Sequence, residues 1–123
     1  MRLFLTIAAV LAWIFGVMLL LMPRQFYSSA GIDMTPMLGT VAQAHGATLI
    51  GLGLINWLGR DVTDRAGLVA ILGGNLLVQV LSLAIAIRTI DLGAGSRMAP
   101  SILVHIALGG GFAYFLSRLR KAA

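Results

Sequence analysis

Residues 3–22 read LFLTIAAVLAWIFGVMLLLM, twenty residues without one charged side chain. A helix rises about 1.5 Å per residue, so a stretch of this length reaches about 30 Å, the thickness of a bilayer's hydrocarbon core. Three more charge-free windows follow, Leu38–Leu58, Ala66–Ile87 and Met98–Ser117. All 9 Lys and Arg and all 4 Asp and Glu fall outside these four windows. Helices of a soluble bundle would each carry a polar stripe with charges toward water, and these do not. The spacing predicts an all-α fold, a polytopic four-transmembrane-helix bundle making one membrane domain over residues 1–123.

Composition excludes several classes. Apolar residues are 59% of the chain and charged residues 11%, too few to cover a soluble domain, which is usually about 25% charged. The net charge of +5 raises the question of nucleic acid. The basic residues, however, stand singly between apolar blocks and make no basic face. No nucleic acid is expected as a partner; the lipid bilayer is. There is no cysteine. That removes disulfides, thiol catalysis and cysteine metal sites, and with them the small four-helix membrane thiol–disulfide oxidoreductases, which need paired cysteines.

The breaks between windows carry their own signals. Pro23 cannot continue the hydrogen-bond ladder of the first window, and Pro23–Met37 is expected as the longest loop. Pro36 precedes the second window. In the polar turn Gly59–Arg65, Asp61 or Asp64 is placed to cap the third helix. Thr89–Arg97, with Gly93, Gly95 and Ser96, favours a flexible loop, and Pro100 suits the first turn of the fourth helix. Ser28-Ser29-Ala30 has small residues at a signal-peptidase spacing. The apolar stretch before it is longer than the usual signal core, so the first window is read as a membrane helix.

Orientation follows from Lys and Arg. Arg2, Arg60, Arg65, Arg118, Arg120 and Lys121 share one side; Arg24, Arg88 and Arg97 share the other. Positive residues favour the cytoplasm, so both termini are expected there. Trp57 and Tyr114 fall at the inner ends of their helices and Tyr27 at the outer end of the first, as interface anchors do. Arg88, with Asp91 nearby, reads as an outer headgroup anchor. The tail Arg118-Leu119-Arg120-Lys121 reads as a cytoplasmic anchor on anionic lipid.

Lipid gives little drive for helix association, so close contact at small residues must supply much of it. Gly39, Gly46 and Gly53 stand seven apart in the second window, with Ala42 beside them. Ala9, Ala12 and Gly16 repeat a small-residue pattern in the first window, and Gly67, Ala70 and Gly74 repeat it in the third. These are expected packing seams; an internal two-fold repeat is the alternative. Gly109-Gly110-Gly111 allows close approach or a bend in the fourth.

No ionisable carboxylate or base other than histidine lies inside a window. Small four-helix multidrug exporters depend on a buried glutamate in the first helix, where this chain has only Thr6 and Trp13 as non-aliphatic features. Fluoride channels share the length and helix number, but their pore lining has no counterpart here. What remains is neutral and polar. His45 and His105 each lie seven positions from the outer end of a window, roughly 10 Å below the outer boundary. Asn75, Gln79 and Ser82 share an arc on the third window, and Ser101 and His105 share a stripe on the fourth. His45, Gln79, Ser82, Ser101 and His105 are therefore candidates for a polar pocket in the outer half, able to take a quinone or another weakly polar ligand. Two facing imidazoles can also hold a b-type haem. The alternative is that these groups hydrogen-bond between helices and fix register.

The stretch Ala44-His45-Gly46-Ala47 through Gly51-Leu52-Gly53-Leu54-Ile55-Asn56-Trp57-Leu58-Gly59-Arg60, then Asp64-Arg65-Ala66, resembles small bacterial four-helix membrane proteins of the DoxX-like kind. So does the segment Pro23–Gly31. The resemblance spans most of the chain, rests on glycines, apolar residues and boundary charges, and implies a multi-pass protein of a bacterial inner membrane. Many such proteins have an arginine where this chain has His45. The expectation is a non-catalytic accessory subunit or homo-oligomer, with the small-molecule binder or transporter as the alternative. No catalytic residue, cofactor or metal is assigned, because no nucleophile–base or carboxylate pair lies in a window.

Overall fold

The structure, a computed structural model, describes residues 1–121, and of Ala94 the backbone alone. Among the described residues the chain is all helix and turn: α1 (Arg2–Leu21), α2 (Pro23–Ser29), α3 (Pro36–Gly59), α4 (Arg65–Thr89) and α5 (Ala99–Lys121). The four long helices are each apolar and long enough to cross a membrane. They coincide with the four charge-free windows, extended by one to four residues at most ends. The longest described extension is at α5, which runs through Arg118 and Arg120 to Lys121. There the chain is expected to leave the hydrocarbon, and positive side chains suit a helix C-terminus.

Helix starts follow side-chain chemistry. Thr35 caps α3, its Oγ1 accepting from Leu38 N at 3.2 Å, and Pro36 occupies the first turn. Of the two aspartates expected to cap the next helix, Asp64 does so: its Oδ2 accepts from Gly67 N at 2.7 Å. Pro100 lies in the first turn of α5. In each case a donor that the helix leaves without a partner is satisfied, or is missing because the residue is proline.

Two expected loops contain helical segments. Pro23 ends α1 but also opens α2, because a proline that cannot continue one helix is well suited to begin another. Met22, at φ −134° and ψ 50°, is the break between them. α2 closes on a Schellman turn: Ile32 N donates to Tyr27 O and Gly31 N to Ser28 O, with Gly31 at φ 74°. Phe26 and Tyr27 on this short helix are half-buried, Phe26 edge-on to Phe15 with ring centroids 6.1 Å apart. Burial raises the Tyr27 phenol above its ordinary value. The second expected loop, Thr89–Arg97, continues as a π-helical turn (Ile90–Ala94) and a 3-10 turn (Gly95–Met98). Gly93 at φ 108° and Gly95 at φ 56° let the backbone reverse within those turns.

The long helices pack as two compact units, Arg2–Arg60 and Asp61 onward. In the first, α1 and α3 form an antiparallel hairpin. Its interior is Leu5, Ala8, Ala9, Gly16 and Leu19 against Ala42, Gly46, Gly53, Asn56 and Gly59. In the second, α4 and α5 form a hairpin. α4 buries Leu68, Leu72, Asn75, Gln79 and Ala86, alternately four and three apart before a final step of seven, and α5 buries Phe112.

The glycines divide between these roles. A Cβ on Gly46 would lie 2.6 Å from Gly16 O, and one on Gly53 would lie 2.5 Å from the Trp13 ring. Gly39, read from its seven-residue spacing as part of the same seam, meets only the Met34 side chain, at 3.9 Å. Gly67 lies at the helix cap beside Val62 and Asp64, and Gly74 is exposed with nothing within 4 Å. Within the second hairpin, the contact to α5 therefore runs through large and polar side chains and not through Gly67 and Gly74. A spacing of seven identifies a stripe on a helix; it does not say which stripe faces the neighbour.

Candidate functional site

The polar residues within the long apolar helices are held in different ways. Gln79 of α4 and His105 of α5 meet across the second hairpin, with His105 Nδ1 donating to Gln79 Oε1 at 2.7 Å in the tautomer that places the hydrogen on Nδ1. Gln79 is buried and His105 half-buried. The approach is close because Gly109, one turn from His105, would bring a Cβ to 3.4 Å from the Gln79 Cβ. Asn75 turns its amide back on its own helix, Nδ2 donating to Ile71 O at 2.8 Å. Ser82, three residues past Gln79, and Ser101, four before His105, are both half-buried.

His45 is different. It lies on α3, in the first hairpin, and is exposed between the buried positions Ala42 and Gly46. Of the five pocket candidates, the structure thus joins Gln79 to His105, places Ser82 and Ser101 on the same hairpin, and puts His45 on the other. Among the described residues, no three His, Asp or Glu side chains gather as a group that could hold a metal.

The first hairpin has polar contacts that the sequence did not single out. Gln43 Nε2 donates to Leu20 O at 3.1 Å. That carbonyl lies in the last turn of α1, where the break at Met22 ends the helical ladder. Trp13 Nε1 donates to Ile50 O at 3.2 Å. Its ring lies 5.4 Å from that of Trp57, inclined at 43°. The guanidinium carbon of Arg60 sits 3.3 Å from the centroid of the Trp57 ring. Trp57, read as an interface anchor, is thus half-buried between an indole and a guanidinium. The signal for the last contact was present: aromatic and arginine stand three apart at a helix end, where side chains share a face. Asn56, beside it, is 1% exposed.

Comparison of the chain with protein-family models, with curated proteins and with solved structures finds no match.

Proposed function

We propose that the chain is a non-catalytic, multi-pass protein of a bacterial inner membrane, of the DoxX-like kind, with both termini in the cytoplasm. It acts as an accessory subunit or as a homo-oligomer. The observation that carries this reading is the Gln79–His105 hydrogen bond. Two neutral polar side chains from the middle of α4 and α5 bond each other across the hairpin's interface, as interhelical polar residues do when they fix register. α5 supports the partner role: Phe112 is its one buried residue among those described, and its stripe Leu103, Ile106, Gly110 and Ala113 is exposed. The excess of Lys and Arg at the N-terminus, the Gly59–Arg65 turn and the C-terminus supports the orientation.

A double-mutant cycle tests the register role. Gln79→Leu and His105→Leu should each destabilise the protein in mild detergent, by about 1 kcal/mol. The double variant should recover part of that loss, with a coupling of about 0.6 kcal/mol. One observation favours a second reading, a pocket for a weakly polar ligand such as a quinone: Ser82 and Ser101 extend the polar row by one turn. Native mass spectrometry on the same variants separates the two. A homo-oligomer or a bound protein partner, with no small molecule retained, supports the accessory role. A small molecule lost from both single variants, with no coupling in the cycle, supports the pocket.

A further inference from the structure

One end of the second hairpin is basic. α4 and α5 are joined through Ile90–Met98 and bonded across by Gln79 and His105, so the start of α4 and the end of α5 share the end away from that connection. Arg118, Arg120 and Lys121 lie in the last turn of α5, and Arg65 is the first residue of α4. All four side chains are exposed. The acidic side chains at this end are Asp61 and Asp64, both of the same compact unit, and Asp64 caps α4 through Gly67 N. Four bases against two carboxylates leave the end net positive.

Helix chemistry accounts for three of these bases and not for the fourth. Arg118, Arg120 and Lys121 stand at a helix C-terminus, where positive charge is favourable. Arg65 opens a helix, where the backbone already presents positive charge and a base works against it. Tyr114, Arg118 and Lys121 stand four and three apart, on one stripe of α5, and Tyr114 is 56% exposed. From Tyr114 to Lys121 the helix rises about 10.5 Å. An exposed aromatic ring followed outward by bases is the order of a lipid boundary, ring at the interface and charge among the headgroups. A second copy of this end would bring like charge to it; an anionic lipid brings the opposite charge.

We infer that this end of the second hairpin gathers anionic phospholipid, with phosphates drawn to Arg65 of α4 and to Arg118, Arg120 and Lys121 of α5, and Tyr114 at the boundary between headgroup and acyl chain. The inference rests on the reading of the chain as membrane-spanning. Each basic residue near an anionic lipid surface contributes a factor of about five to the attraction. The site draws on both helices, so removing a base from either one weakens it.

The chain has no cysteine and Ser117 is exposed beside Arg118, so Ser117→Cys carries a bimane label at this end without background. The labelled protein is reconstituted into phosphatidylcholine vesicles containing phosphatidylglycerol or, in parallel, phosphatidylcholine with bromine high on the acyl chain. The brominated anionic lipid should quench at a mole fraction lower by about fivefold or more, the contribution of one base at least. The triple change Arg118→Gln, Arg120→Gln and Lys121→Gln should bring the two lipids to near equality. Arg65→Gln, on the other helix, should remove about half of the preference or more. Molar salt, with a screening length of about 3 Å, should largely abolish it with all four bases in place. Equal quenching by the two lipids with the four bases present and salt low would overturn the inference. So would a preference that survives the triple change or molar salt, or one that Arg65→Gln leaves untouched. Quenching by neither lipid would instead overturn the membrane reading beneath it.

Discussion

Gly46→Leu is expected to force α1 and α3 apart. At Gly46 the two backbones touch: an added Cβ would meet Gly16 O at 2.6 Å, Leu20 N at 2.8 Å and the Leu19 Cβ at 3.1 Å. Two of these are backbone atoms in regular helix, and neither has a rotamer to move to. The opposite face repeats the constraint, since a Cβ on Gly16 would meet Gly46 O at 2.9 Å. In lipid, where neighbouring acyl chains are as apolar as the helix surface, this close approach is a main source of association. Overpacking of this kind costs about 3 kcal/mol or more. Unfolding by SDS in mixed micelles, followed through Trp13 and Trp57, should show an early transition. Gly74→Ala is the matched control. Its Cβ meets nothing within 4 Å, so stability should hold or rise, by up to about 1 kcal/mol from helix propensity. Equal effects at the two glycines would contradict the packing described.

The second large effect is expected at Phe112. It is the single buried residue of α5 among those described, 1% exposed. Truncating a phenylalanine in a soluble core costs about 3–5 kcal/mol, part of it transfer of the ring to water. Between membrane helices the transfer part is small, because the ring leaves one apolar medium for another. What remains is the lost packing, about 2 kcal/mol. Phe112→Ala should therefore raise hydrogen–deuterium exchange along α4 and α5. Tyr114→Ala, two residues on and 56% exposed, should leave exchange in all four helices near the level of the unaltered protein.

The four long helices were legible because the signal is crude and strong: in a low-dielectric medium charge is expensive, so its absence over twenty residues marks a span. Caps were legible for the same kind of reason, as Asp64 and Pro100 show. Counting helical rise placed Gln79 and His105 at equal depth, and the structure joins them. The same count placed His45 there too, but depth says nothing of which hairpin a residue belongs to, and His45 is exposed on α3. Glycine spacing picked out Gly46 and Gly53, which pack, and equally Gly39, Gly67 and Gly74, which touch no neighbouring helix within their hairpins. The direction in which a uniformly apolar helix turns toward its neighbour has no sequence signature, because every face is compatible with lipid. Helix α2 was missed for the opposite reason. Seven residues give no usable period, and a proline at the junction reads as a stop as easily as a start.

The most direct measurement is topological. The chain has no cysteine, so single replacements can be labelled without background. Ser28→Cys, Thr63→Cys, Ser96→Cys and Lys121→Cys sample α2, the α3–α4 turn, the α4–α5 connection and the end of α5. With a membrane-impermeant maleimide on intact cells, Cys at positions 28 and 96 should be labelled. Cys at positions 63 and 121 should react only after the membrane is opened. That alternation is the four crossings with both termini inside. Labelling of positions 63 and 96 from the same side would contradict it.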